Sequence, residues 1–436
     1  MVQRVIILGA AGRDFHNFNV LFRSNERYRV VAFTANQIPY ISNRTYPRSL
    51  SGRLYPKGIS IHDESKLARI IKDLRADVCV MAYSDVDYNA VMTKASIANA
   101  AGADFWLIAP DKTMLRSKKK VIAVCAVRTG CGKSQTARYV SRIVRDAGRN
   151  AVIIRHPMPY GILADESVER FETLDDLDRY KTTIEEREDY EPHIRNGFVV
   201  YAGVDYERIL RKAEKEADII IWDGGNNDAP FVRPDLLITV ADPLRVGDEL
   251  TYYPGETVAR MADVLLINKV NSASRAEISR EKKNLRTINK RAKILTARSI
   301  VSVENPSDIR GRKVLLVEDG PTITHGGMRF GAASVAAKAY KAREIADARK
   351  YAVGEIKAAL DKYRHIKREL PAVGYSRKEI SDLRATLNRA VCDVVVSATP
   401  TDLNRIIKIN KKIVQVSYEL DPVGATLERE IKNFIE

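Results

Sequence analysis

The stretch from residue 121 to residue 136 constrains the fold more than any other part of this sequence. It opens with an apolar, β-branched run over 121–127, which predicts a strand buried on both faces of a sheet. The segment Arg128-Thr129-Gly130-Cys131-Gly132-Lys133-Ser134 then interrupts the run, and apolar residues at helical spacing follow it. A strand, a glycine-containing turn, a Lys-Ser pair and a helix in this order predict a P-loop, whose backbone N–H groups bind phosphate.

The residues of this loop have separate predicted roles. The helix N-terminus adds partial positive charge, Lys133 would bridge the terminal phosphates during catalysis, and the Ser134 hydroxyl would bind Mg2+. The predicted nucleotide-binding residues of the loop are Thr129, Gly130, Cys131, Gly132, Lys133, Ser134 and Gln135. The structural alternative is a tight strand-to-helix turn in which the Lys-Ser pair is incidental.

The loop departs from the common P-loop pattern at Val127, where that pattern has a glycine. Its short form resembles the deviant loop of the SIMIBI class, which contains signal-recognition GTPases, MinD-like ATPases and dethiobiotin synthetases. A basic residue often stands in that class where this chain has Arg128. The resemblance implies a catalytic Arg128, donated across the interface of a homodimer.

Composition excludes several classes of protein. The chain has 436 residues, which predicts two or three domains, and its 45% hydrophobic and 29% charged residues are ordinary for a soluble protein. No apolar run is long enough to span a membrane, and the N-terminus resembles a first strand rather than a signal peptide, so we expect a cytoplasmic protein. Four scattered cysteines argue against a zinc site or a disulfide framework.

A net charge of +16 calls for an explanation. Nucleic acid, a polyanionic small substrate and a tolerated basic surface all remain open. The aromatic residues are dispersed rather than clustered with basic ones, which argues against a nucleic-acid partner.

Strands alternate with helices over residues 1–115, which predicts a Rossmann-like parallel sheet. The first turn contains only Gly9 and Gly12 of a dinucleotide fingerprint, so a dinucleotide site and a packing turn both stay open. Arg13, His16 and Asn17 follow the first strand, at the edge where such sheets bind ligands. We expect them to hold an anionic substrate or product.

The basic segment 110–120 predicts a hinge between this domain and a P-loop NTPase domain over 116–345, followed by a C-terminal αβ region over 346–436. The next strand of the P-loop domain ends at Arg155 and His156, which we expect to face a substrate phosphate unless they lie in a rigid surface loop. The acidic segment 165–191 is predicted to be largely helical and most simply a solvated face, and the alternative is a lid or a wall on the Mg2+ side of the site.

Two further buried strands end in carboxylates followed by glycines. Asp223 has the position that a Walker B carboxylate needs, and Glu318 could join it and Ser134 around Mg2+. After Glu318, a segment rich in small and polar residues predicts an anion cradle with a catalytic histidine. Its members are Thr324, His325, Gly326 and Gly327.

Asn268 and Lys269 follow another strand and resemble the base-recognition loop of GTPases. In that family an aspartate reads guanine, and this chain has Asn271 in its place. The predicted nucleotide is therefore ATP, with GTP possible.

Five segments together resemble one family of GTPases, found in archaea and bacteria and identified as cyclic 2,3-diphosphoglycerate synthetase-like. They are residues 9–19, 128–134, 222–227, 318–327 and 398–403. The resemblance covers nearly the whole chain. It implies a ligase or cyclase that uses ATP and Mg2+ to close a phosphoanhydride in 2,3-diphosphoglycerate, a small polyanion.

Two other functions remain open. A regulatory or chaperone GTPase of the SIMIBI class would be a molecular switch, although Asn271 argues against it. A nucleic-acid-binding NTPase is the other. The leading hypothesis is a phosphotransferase or synthetase that acts on a small phosphorylated acid, works as a homodimer and binds neither nucleic acid nor membrane.

Overall fold

The computed structural model describes residues 2–36, 41–155, 163–225, 228–374 and 376–436. The strands are β1 Gln3–Leu8, β2 Tyr28–Ala35, β3 Thr45–Tyr46, β4 Ile59–Asp63, β5 Val78–Met81, β6 Val86–Asp87, β7 Asp104–Leu107, β8 Lys120–Ala126, β9 Ala151–Arg155, β10 Glu169–Phe171, β11 Val199–Ala202, β12 Ile219–Asp223, β13 Leu236–Ala241, β14 Tyr252–Tyr253, β15 Val264–Ile267, β16 Lys293–Val303, β17 Lys313–Asp319, β18 Glu344–Ile345, β19 Leu370–Ala372, β20 Val394–Ser397 and β21 Lys412–Pro422.

The helices lie mainly between the strands. They are α1 Gly12–Asn17, α2 Arg48–Ser51, α3 Leu67–Leu74, α4 Tyr88–Ala100, α5 Lys133–Asp146, α6 Leu174–Arg179, α7 Ile184–Arg195, α8 Tyr206–Glu216, α9 Gly255–Met261, α10 Arg275–Ile288, α11 Gly320–Ile323, α12 Ala332–Ala339, α13 Gly354–Lys362, α14 Arg377–Arg389, α15 Leu403–Ile406 and α16 Thr426–Ile435. Among the described residues, no helix is long and apolar enough to cross a membrane.

The first sheet has the strand order β3-β4-β2-β1-β5-β7 and is parallel except at β3, which pairs antiparallel with β4. Its central strand β1 is buried along its last four residues, as its continuous apolar run predicts. The mixed α/β class with parallel sheets is therefore confirmed. The Rossmann-like identity of residues 1–115 stays a prediction.

The second sheet contains the phosphate-loop strand β8 at its centre. The strands β11-β9-β12-β8-β13-β15-β16 pair in parallel, and β10 adds an antiparallel edge next to β11. In β8, residues 121–126 are all buried, and every residue of β12 is buried. Because these strands run parallel, the loops after β8, β9 and β12 leave the sheet at one common edge.

The long strand β16 joins this sheet to the C-terminal strands. Its first half pairs in parallel with β15, and its second half pairs antiparallel with β21. Beyond β21 come β20 and β17 in parallel, so β17 lies within the same continuous sheet as β8. The proposed domain bounds 1–115, 116–345 and 346–436 stay a prediction.

The acidic segment 165–191 differs from the solvated helix expected from sequence. It contains β10, α6 and the first part of α7. Most glutamates of α7 are buried, because this helix packs against the carboxyl edge of the second sheet rather than against solvent. This difference shapes the candidate site.

Candidate functional site

A cavity lies at the carboxyl ends of β8, β9, β12 and β17. The loop after β8 lines it with Arg128, Thr129, Gly130, Gly132, Lys133 and Ser134, and Gln135 follows them on α5. The structure therefore brings most of the predicted phosphate loop to one concave surface. The binding roles of these residues stay predictions.

The loop conformation depends on glycine at two positions. Gly130 has a φ of 85° and Gly132 a φ of 105°, both in the region that favours glycine. A Cβ atom at Gly132 would lie 2.1 Å from the side-chain nitrogen of Asn268. A larger residue at Gly132 would therefore displace the segment that holds the loop.

Asn268 and Lys269 hold the phosphate loop through hydrogen bonds to its backbone carbonyls. The Asn268 amide donates a hydrogen bond of 2.9 Å to the Cys131 carbonyl, and the Lys269 ammonium donates one of 2.5 Å to the Gly130 carbonyl. Lys269 also lies 2.7 Å from Asp242. Asn271 instead exchanges two hydrogen bonds with the Ser299 backbone. The predicted base loop thus contacts the phosphate loop, while Asn271 holds a neighbouring strand.

Cys131 is the loop residue that does not line the cavity. Its side chain is buried, and burial raises the pKa of its thiol to about 12. The Arg245 guanidinium donates to its Sγ at 3.4 Å. Cys131 therefore packs into the protein under the loop, where only its backbone could face a phosphate.

Below the cavity, Asp223 is the centre of a buried charge network. Its carboxylate accepts hydrogen bonds from Lys133 at 2.6 Å and from Nε2 of His193 at 2.8 Å, and it forms an ion pair with the Arg155 guanidinium at 2.8 Å. Burial acts to raise the pKa of Asp223, but the charges of Arg155 and Lys133 outweigh it and hold that pKa well below its usual range. Asp223 is therefore ionised at neutral pH.

His193 belongs to this network although the sequence did not indicate it as a site residue. Burial lowers its pKa, so the imidazole is neutral and donates its Nε2 proton to Asp223. Burial likewise lowers the pKa of Lys133. The sequence offered one indication of the role of His193: it follows Asp189 by four residues, on the same face of α7.

The predicted metal ligands differ in their availability. Ser134 lines the cavity beside Lys133. Mg2+ usually keeps several waters and needs only one or two protein ligands besides phosphate oxygens, so Ser134 fits a sparse site. Asp223 does not line the cavity, is fully buried and already holds Lys133, Arg155 and His193, so its metal role stays a prediction. No cluster of three or more His, Cys, Asp or Glu side chains suited to a metal occurs within the described ranges.

The Glu318 carboxylate accepts hydrogen bonds from the first turn of α12. The donors are the backbone N–H groups of Gly331, Ala333 and Ser334 and the Ser334 hydroxyl, at 2.7 to 3.0 Å. These bonds cap the N-terminus of α12. Burial raises the pKa of Glu318 to about 7. Its metal role stays a prediction that would have to compete with this cap.

Arg128 lines the cavity, but its guanidinium is held by neighbours. It lies 2.7 Å from Asp85 after β5, 3.2 Å from Asp248 and 3.6 Å above the ring of Tyr252. It also donates to the His325 carbonyl at 3.4 Å. The first sheet thereby fixes a residue of the phosphate loop through Asp85.

The predicted anion cradle lies behind this arginine. Thr324 donates to the Gly320 carbonyl at 2.7 Å, Arg245 donates to the Gly326 carbonyl at 2.5 Å, and burial lowers the pKa of His325. Gly327 turns the chain with a φ of 72°. None of the four residues of the predicted cradle, Thr324, His325, Gly326 and Gly327, lines the cavity. Their substrate and catalytic roles stay predictions.

The predicted N-terminal ligand residues contact the loop after β12 and the segment before β8 instead of the cavity. Arg13 lies 3.5 Å from Asp228 and 4.7 Å from the Phe231 ring centre, and it also donates to the Ala229 carbonyl. His16 donates to the Thr113 carbonyl at 2.7 Å and stacks on Phe231 at 4.3 Å. Asn17 is buried beside them. His156 lies outside the described residues.

Besides Glu318, four carboxyl groups line the cavity, and we term these four the acidic wall. They are Glu185, Glu188, Asp189 and Asp319. Three of them recur at helical spacing on one face of α7, and Asp319 ends β17. Asp189 pairs with Arg155, so the wall begins directly beside the Asp223 network. The sequence contained this spacing, but its high charge suggested a solvated face.

The fold and the loop define a P-loop α/β protein. No family model matches the chain. Arginine synthetase ArcE of Thermococcus kodakarensis is 56% identical over 429 residues, which cover 98% of this chain and 96% of that protein. The chain therefore belongs to the family of this arginine synthetase, and the relationship does not support a cyclic 2,3-diphosphoglycerate synthetase specifically.

Solved structures are only distantly similar. LpxK from Aquifex aeolicus, crystallised with ATP, is 11% identical with a TM-score of 0.43, and the match covers 80% of this chain and 96% of LpxK. HypB from Archaeoglobus fulgidus is 16% identical with a TM-score of 0.27, covering 41% of this chain and 80% of HypB. Both similarities are too weak to support an argument about function.

Proposed function

We propose that this chain is an ATP-dependent synthetase that forms arginine. The observation that carries the proposal is the pairing, in one cavity, of a cationic phosphate loop with an acidic wall. Such a cavity suits two ligands of opposite charge, a nucleotide triphosphate and a substrate or product with a cationic group. The membership in the arginine synthetase family supports this choice of product.

The phosphate loop would bind ATP. The backbone N–H groups around Gly130 and Gly132 would hold the phosphates, and Lys133 would neutralise charge that develops during phosphoryl transfer. Ser134 would hold Mg2+, which would neutralise charge on the phosphates, and Asp223 would join it by exchanging one of its present partners. Asn271 supports ATP over GTP, because its amide is used by the Ser299 backbone.

The chemistry of arginine formation explains why a synthetase needs such a cavity. A ureido oxygen attacks the terminal phosphorus of ATP and ADP leaves. An amine nitrogen then attacks the activated carbon, phosphate leaves, and the guanidinium group remains. The reaction therefore places a nascent cation beside the terminal phosphate. In this chain Asp189 of the acidic wall pairs with Arg155, and Arg155 pairs with Asp223. Asp223 also pairs with Lys133, so the acidic wall begins beside the residues expected to bind the terminal phosphate.

The earlier interpretation, a cyclase acting on 2,3-diphosphoglycerate, fits this cavity less well. That substrate carries only negative charges and would have to lie against the acidic wall. Burial raises the pKa of Glu188 and Asp319, but even as protonated acids these groups would offer its phosphates no positive charge.

A direct comparison of substrates tests the proposal. The protein is incubated with ATP and Mg2+, once with ammonium and citrulline, the ureido analogue of arginine, and once with 2,3-diphosphoglycerate. Phosphorus NMR follows ATP, and amino-acid chromatography follows arginine. We expect arginine and ADP in equal amounts in the first reaction and no cyclic product in the second. Absence of arginine, or cyclic 2,3-diphosphoglycerate in the second reaction, would overturn the proposal.

A further inference from the structure

Within the acidic wall, Glu188 is held through one carboxyl oxygen by the Thr399 hydroxyl. Its side chain is 5% exposed and lines the cavity from α7. The Thr399 hydroxyl after β20 donates to its Oε1. Its Oε2 accepts no hydrogen bond from an N–H or hydroxyl donor in the described part of the chain. Its carboxyl instead contacts that of Asp319, with which it can share a proton.

Asp319 is the neighbour of Glu188 in the wall. Its carboxyl accepts a hydrogen bond from Thr322. The pKa of Glu188 is raised well above its usual range, mainly by burial and secondly by the nearby charge of Asp319. Neither carboxyl forms a salt bridge with a cation of the described residues, whereas Asp189 pairs with Arg155. Glu188 and Asp319 are therefore two carboxyl groups in contact, with raised pKa values and without a cation beside them among the described residues, and a bound cation would favour their ionised forms.

We propose that Glu188 and Asp319 form the subsite that binds the guanidinium group of arginine. This inference rests on the proposed function, which it makes specific to two residues. A guanidinium group is planar and carries five N–H donors, so one carboxyl can accept from one of its edges while a second carboxyl accepts from another. An ammonium group of the same charge lacks this planar fork.

The location of the pair agrees with the chemistry. Glu188 precedes Asp189 on α7, and Asp189 leads through Arg155 and Asp223 to Lys133. The pair therefore lies next to the contacts that would position the terminal phosphate. A guanidinium carbon bound there would be close to the leaving phosphate group.

Calorimetric titration of the full-length protein with arginine, and separately with ADP and Mg2+, tests the subsite. The variants are Glu188→Gln and Asp319→Asn, which keep the shape of the side chains and remove their charge. Glu191→Gln is the matched control, since Glu191 lies on the same helix and binds Arg195. We expect arginine affinity to fall about 10- to 100-fold in the two wall variants, in line with hydrogen bonds to charged groups. ADP affinity should match the parent in all three.

Lysine provides a second measurement on the unaltered protein. We expect it to bind more weakly than arginine, because its ammonium cannot use both carboxyls in a plane. If Glu188→Gln and Asp319→Asn bind arginine like the parent, the subsite is overturned while the proposed function stands. If the parent binds no arginine with or without ADP, both are overturned. If Glu188→Gln binds no ADP, its fold is damaged, and Asp319→Asn and the lysine comparison decide.

Discussion

The turns after β1 and after β8 begin alike and end differently. Both follow a buried central strand of a parallel sheet, and both use a glycine of positive φ, at Gly9 and at Gly130. In the first turn, Arg13 and His16 are used by contacts to the segment 228–231 and to Thr113. In the second turn, Lys133 and its neighbours line an open cavity.

The comparison shows that strand order alone does not make a binding site. A parallel sheet offers its carboxyl edge wherever strands end. The protein covers that edge at β1 with the loop segment 228–231 and Thr113, and at β8 it leaves a cavity bounded by charges of both signs. The following experiments test this contrast, beginning with the largest expected effect.

Asp223→Asn should have the largest effect. It removes the carboxylate shared by Lys133, Arg155 and His193, so the free energy of unfolding should fall by about 3–5 kcal/mol and turnover should be lost. Urea unfolding at neutral pH and an ATP-turnover assay measure the two effects. Asp218→Asn, at the exposed start of the same buried strand, is the control. Equal stability of the two variants would show that the network is not the support of the site.

Lys133→Ala should affect turnover more than folding. Burial already lowers the pKa of this lysine, so its removal relieves a desolvation cost while Arg155 continues to pair with Asp223. Turnover should fall about 10²- to 10³-fold, as for loss of one preorganised charge-stabilising donor. Steady-state kinetics and ADP titration measure the change, with Lys215→Ala on the exposed face of α8 as control. Unchanged turnover would remove Lys133 from the phosphate site and erase the contrast between the two turns.

Much of the fold could be predicted from local patterns. Apolar runs such as 121–126 and 219–222 are buried strands because a parallel sheet covers both of their faces. The Gly130–Ser134 segment was found because glycine, lysine and serine at fixed positions carry their chemistry in the sequence itself.

The acidic wall could not be predicted in the same way. Whether a carboxylate faces water or a cavity depends on which element packs against its helix, and β17 and β20 are more than 100 residues away from α7 in sequence. The coverage of Arg13 by the segment 228–231 has the same cause. Long-range packing decided both outcomes, and neither has a local signature.

Arg13→Met tests the covered turn with an intermediate effect. Methionine keeps part of the apolar stem but loses the contacts to Asp228 and to the Ala229 carbonyl. The free energy of unfolding should fall by about 1–3 kcal/mol, with ADP and arginine affinities unchanged. Thermal unfolding and calorimetry measure these quantities. Loss of affinity for a phosphorylated acid without loss of stability would restore Arg13 as a ligand residue and make the two turns equivalent.

Asp14→Asn should have the smallest effect at acid pH, because Asp14 is protonated there and lies outside the cavity. Burial raises the pKa of Asp14 to about 8, from 3.8 for an exposed aspartate. The native state therefore binds a proton that the unfolded chain releases, so the contribution of Asp14 to stability is fullest below pH 4 and is lost as the pH rises towards 8. Asparagine cannot ionise, so the stability of the parent relative to Asp14→Asn should decline across this range while turnover at fixed pH stays the same. Urea unfolding from pH 4.5 to 8.5 measures it, and parallel curves for the two proteins would show that the covered turn is open enough to solvate a charge.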